Sequence, residues 1–98
     1  MTQTTITALP NGQKGVIGSP AHRLLQRMAA TVTGYAPRGR GATDTQLRSL
    51  ARAGHAHLHF EYEGARPVVA GAYLTPAGEC YVEMLDRAEA NAKRIASL

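Results

Sequence analysis

Apolar positions recur along this chain with two different periods, and capping and turn residues mark where one period gives way to the other. Behind Ser19-Pro20, a Ser N-cap with Pro at the first helical position, Leu24, Leu25, Met28, Ala29 and Val32 fall at helical spacing. They predict a helix over about residues 20–33, closed by Gly34. Residues 35–42 contain too many Gly and Pro to be helical and predict a basic loop carrying Arg38 and Arg40. Thr43-Asp44-Thr45-Gln46 then reads as a capping box, and with Gly54 as the stop it predicts a second helix over residues 44–53. At about 100° per residue, Leu47, Leu50 and Ala51 share one face of that helix. Thr45, Ser49 and Arg52 centre the opposite face, flanked by Gln46 and Arg48.

At His55 the period changes to two. Ala56, Leu58, Phe60 and Tyr62 alternate with His55, His57, His59 and Glu61, the pattern of a half-buried strand. Residues 63–67 turn the chain, and the β-prone run 68–74 predicts an antiparallel partner. Thr75-Pro76 starts a last helix that reaches the C-terminus, with Tyr81, Met84, Leu85, Ala88, Ala92 and Ile95 on one face. Ahead of the first helix, two β-prone pieces flank Asn11-Gly12, so residues 1–19 read as a hairpin docked on the domain or as an arm that orders on a partner. Residues 20–98 form the domain proper.

Ninety-eight residues suffice for one modest core, and a single Phe with no Trp leaves much of its packing to alanine and valine. Eleven Lys plus Arg against seven Asp plus Glu give a net charge of +4, which favours anionic partners. One cysteine, Cys80, excludes an internal disulfide and reads as a small core residue of the last helix. No apolar run long enough for a signal or a membrane span is present, and the chain is read as cytoplasmic.

Little in the chain suggests catalysis. No Gly-rich phosphate loop follows a strand, no nucleophile has a supporting base, and the carboxylates are scattered, so the reading is a protein without enzymatic activity or cofactor. His55, His57 and His59 lie about 6 to 7 Å apart at strand rise, close enough for adjacent pairs to hold Zn, Ni or Cu, with Cys80 as a fourth ligand. Three His opposite a core face are more often plain polar residues, and a metal-responsive regulator ranks behind the readings below. In the last helix, Tyr81, Ala88 and Ile95 recur every seven residues with Met84 and Leu98 on the adjoining line, although Asn91 interrupts it. That stripe suits a partner helix and predicts a homodimer.

The run Leu47-Arg48-Ser49-Leu50-Ala51-Arg52-Ala53-Gly54, followed by the strand pair and by Tyr73-Leu74-Thr75-Pro76-Ala77-Gly78, resembles the second half of a winged helix-turn-helix DNA-binding domain of small bacterial and phage regulators. The resemblance covers residues 43–85 best. Two departures stand out: Gly34 to Ala42 replaces the helix usually found before the recognition helix, and His55 stands where an apolar residue is usual. The fold class this implies is α+β, a winged helix with an abbreviated helical core, a β-hairpin wing and a long C-terminal helix.

What the resemblance implies for function is sequence-specific binding of double-stranded DNA by a small transcriptional regulator. Helix 44–53 would then enter the major groove, with Thr43, Thr45, Gln46, Arg48, Ser49 and Arg52 offering donors to bases and phosphates. Arg38, Arg40 and Arg66 would supply charge to the backbone or minor groove. Winged helices also serve as protein-docking modules, so the competing reading is an interaction protein, for example a phage-encoded inhibitor of a host protein.

Overall fold

The structure, a computed structural model, describes residues 5–8 and 14–97. Its elements run β1 (Thr5–Ala8), β2 (Lys14–Ile17), α1 (Pro20–Ala29), β3 (Tyr35–Pro37), α2 (Asp44–Arg52), β4 (Ala56–Glu63), β5 (Arg66–Leu74) and α3 (Pro76–Ala96). The architecture is α+β, with three helices around a three-stranded antiparallel sheet of order β3-β5-β4 and a separate β1-β2 hairpin. The Asn11-Gly12 turn expected to join that hairpin lies outside the described residues.

All three helices start where their side chains cap them. The Ser19 hydroxyl accepts from the His22 N–H at 3.1 Å, Thr43 and Gln46 close a reciprocal capping box, and the Thr75 hydroxyl accepts from the Gly78 N–H at 3.0 Å. Each cap satisfies a donor that the first helical turn leaves without a partner. The core collects Leu24, Leu25 and Met28 of α1, Leu47 and Leu50 of α2, Ala56, Val69 and Ala72 of the sheet, and Val82 of α3. A satellite cluster seats Ile17 of β2 on Leu85, with Tyr81, Met84 and Ala88 beside it, so the hairpin docks on α3.

Four expectations need correction. The first helix stops at Ala29 instead of Thr33, and Val32 is fully exposed. The Thr31 hydroxyl folds back on the Met28 carbonyl, and the chain must then leave the helix axis so that the Gly34 carbonyl can accept from the Leu74 N–H at 2.9 Å. Residues 35–42 are more than a loop. Tyr35–Pro37 pairs with β5 as an edge strand, where Pro37 needs no ladder donor, and Ala36 is buried in the core.

The third correction concerns the outer half of the β4–β5 hairpin. His59 pairs with Gly71 but Phe60 pairs with Val69, so Ala70 is an extra residue that bulges β5. Beyond the bulge the hairpin outruns the helices, leaving Phe60 45% and Tyr62 72% exposed in place of the expected core face. Finally, Cys80 is exposed because Tyr81, Val82 and Leu85, not Cys80, turn towards the domain. Further along α3, Ala92 and Ile95 are exposed as well, past the last residue that α1 and β2 cover.

Candidate nucleic-acid interface

Helix α2 packs Leu47 and Leu50 inward and leaves Thr45, Arg48, Ser49 and Arg52 exposed, as the 3.6-residue period requires. Thr43 and Gln46 are committed to the cap: the Gln46 Oε1 accepts from the Thr43 N–H at 2.9 Å while the Thr43 Oγ accepts from the Gln46 N–H. One turn separates Asp44 from Arg48, whose Nε donates to the Asp44 carboxylate at 3.0 Å. Both side chains are about half exposed, at 47% and 48%, so the pair adds little stability and serves mainly to orient the guanidinium.

Cations from three separate segments meet beside this helix. Arg38 follows β3 directly and is fixed there by its backbone N–H, which donates to the Ala70 carbonyl at 2.8 Å. Arg66 opens β5 at the tip of the hairpin. Arg38, Arg48 and Arg66 line one groove of about 330 Å³, floored by Pro67, Val68 and Val69, with Asp44 as its single carboxylate. Arg40 and Arg52 are exposed but lie outside it. One contact that the sequence hid is Arg27 of α1: a Cβ on Gly41 would stand 2.8 Å from its guanidinium nitrogen, so that glycine lets Arg27 lie against the basic loop.

A second groove of about 340 Å³ shares Arg38, Val68 and Val69 and is lined by Tyr35, Glu61, Tyr62 and Glu63. The hairpin is thus cationic along one groove and acidic and aromatic along the other. Tyr35 reaches across β5 to this side, its hydroxyl 3.0 Å from the His59 Nδ1. Gly71 makes that possible, since a Cβ there would collide with the Tyr35 ring and the Ala36 carbonyl at 2.5 to 2.6 Å. Burial, with Tyr73 and Glu61 nearby, pushes the Tyr35 hydroxyl above its ordinary value.

The three histidines of the alternating run do not share a site. His55 sits before β4 and stacks on Tyr81 with ring centroids 4.1 Å apart, where burial lowers its pKa. His59 is held by Tyr35, and His57 is exposed. Among the described residues, no three His, Cys, Asp or Glu side chains come together as a metal site.

His22, which drew no attention in the sequence, is wholly buried. Its Nδ1 accepts from the Gly18 N–H at 3.0 Å, so Nε2 carries the hydrogen it donates to Asp86 at 2.8 Å. It ties the β2–α1 corner to α3. Among the described residues every buried side-chain polar atom has a partner, and no helix is long and apolar enough to cross a membrane.

No family model, curated protein or solved structure matches the chain.

Proposed function

We propose that this chain is a winged-helix protein that binds double-stranded DNA in a sequence-specific way as a small transcriptional regulator, acting by occupancy and without catalysis. The observation that carries the reading is the gathering of Arg38, Arg48 and Arg66, from three separate segments, beside the exposed Thr45, Ser49 and Arg52 of α2. A capped helix with a free polar face, flanked by Arg38 after β3 and Arg66 at the hairpin tip, combines sequence-blind attraction to phosphates with donors able to reach base edges. The element order from α2 through the β4–β5 hairpin to α3 supports the same reading. A homodimer through the distal turns of α3, where Ala92 and Ile95 are exposed, would match a two-fold DNA site.

Fluorescence anisotropy with labelled duplex from around the protein's own gene and with scrambled duplex, over about 50 to 300 mM salt, tests this. The expected result is a preference of about a thousandfold or more. Arg52→Ala is expected to weaken the preferred duplex by about 1 to 3 kcal/mol. Equal, weak and salt-sensitive binding to both duplexes would sink the reading and turn attention to an acidic protein partner.

A further inference from the structure

We infer that the groove between α2 and β5 is a seat for a single phosphate group, and that Asp44 is the positioning residue that aims Arg48 into it. The assignment of that phosphate to a DNA backbone rests on the function proposed above; the phosphate seat itself does not.

Arg38, Arg48 and Arg66 line the groove together with a single carboxylate, Asp44, so its lining carries a net positive charge. Asp44 engages Arg48 through Nε, so the terminal Nη atoms have no partner in this ion pair and are free to take a phosphate oxygen in a forked arrangement. Arg38 is anchored by its backbone on Ala70 and Arg66 starts the β5 ladder opposite Glu63, so two of the three cations are carried on paired backbone. That pairing fixes where both side chains start, and the guanidinium groups themselves order only on the anion.

A division of labour follows. The groove contacts are sequence-blind, so base reading falls to Thr45, Ser49 and Arg52, which are exposed on α2 and lie outside the groove. Asp44 also limits the seat. Its carboxylate repels the same phosphate that Arg48 attracts, holding down affinity for any arbitrary duplex.

The test has two arms. In the first, the protein is titrated with inorganic phosphate at constant ionic strength while the side-chain Nε–Hε signals of the arginines are followed by NMR. Saturable shifts at Arg38, Arg48 and Arg66, with little at Arg52 and Arg87, are expected. Asp44→Asn, which keeps an oxygen for the Arg48 Nε but removes the charge, should tighten phosphate binding several-fold. Uniform, non-saturating shifts across all arginines would overturn the seat, whatever the protein does with DNA.

In the second arm, duplex binding is measured for the wild type and for Arg48→Ala, Arg66→Ala and Arg52→Ala. The salt slope should fall by about one for each groove variant with the preferred-to-scrambled ratio unchanged, whereas Arg52→Ala should lower that ratio at least about fivefold. A ratio lost in Arg48→Ala would show that Arg48 reads a base and would overturn the division of labour. Localised phosphate shifts without any duplex binding would keep the seat and remove the DNA assignment.

Discussion

Gly78→Ala probes the joint on which the α2, hairpin and α3 arrangement depends. Gly78 occupies the first turn of α3, and a Cβ added to it would collide with the His55 carbonyl oxygen and stand 2.8 Å from Leu74 Cδ1. The oxygen belongs to backbone and has little room to give. The same carbonyl accepts from the Thr75 N–H at 3.1 Å, and the Thr75 hydroxyl donates to the Gly54 carbonyl at 2.7 Å, so moving α3 away would stretch both bonds. Overpacking costs about 1 to 3 kcal/mol, and each hydrogen bond contributes about 1 kcal/mol. Alanine's better helix propensity returns about 1 kcal/mol at most. The net expectation is a loss of about 2 to 4 kcal/mol, a large part of the roughly 5 to 15 kcal/mol that holds such a domain together.

Urea unfolding followed by circular dichroism measures this directly, with the slope checked so that the change is one of stability alone. Two controls separate the clash from propensity. Ala77→Gly, at the exposed neighbouring position, should cost only about 0.5 to 1 kcal/mol. Gly39→Ala, where nothing lies within 4 Å of the added carbon, should change stability by less than about 1 kcal/mol. A Gly78→Ala protein as stable as the wild type would refute the close approach and with it the physical reason for the Thr75 to Gly78 run.

Gly71→Ala should destabilise the sheet by about 1 to 3 kcal/mol because Tyr35 and the Ala36 carbonyl occupy the space, and a thermal midpoint equal to wild type would contradict that packing. His55 should titrate below its ordinary 6.5, since burial against Tyr81 disfavours the charged ring. With the folded value depressed, both states are neutral above 6.5, and on acidification the unfolded chain takes the proton first. This contribution to stability therefore falls as pH drops below 6.5; an NMR midpoint at or above 6.5 would disprove it. Glu89 is held below its ordinary 4.5 first by its hydrogen bond to Arg23, a bidentate contact at 2.6 and 3.1 Å, against the opposing effect of burial. Its contribution is present above 4.5 and is lost as pH falls through the folded value, so Arg23→Ala should flatten the acid limb of the stability profile. An unchanged acid limb would count against the pair.

Local chemistry made much of this protein readable from its residues. Ser19, Thr43 and Thr75 mark helix starts because a hydroxyl caps its own N3 donor, a bond that depends only on nearby residues. The polar face of α2 follows equally from the period of the helix. Strand β3 was hidden for the opposite reason. Tyr35, Ala36 and Pro37 have no strand pattern of their own, and they extend only because β5 offers a ladder and Gly71 leaves room for the Tyr35 ring.

The same holds for burial along longer elements. The alternation through Tyr62 and the apolar stripe through Ile95 were visible, but not where the domain ends, so both run past the core into solvent. Phase along an element is a local property. How far a neighbour covers it is not, and neither is the meeting of Arg38, Arg48 and Arg66, which are up to 28 residues apart and are brought together only when the hairpin folds beside α2.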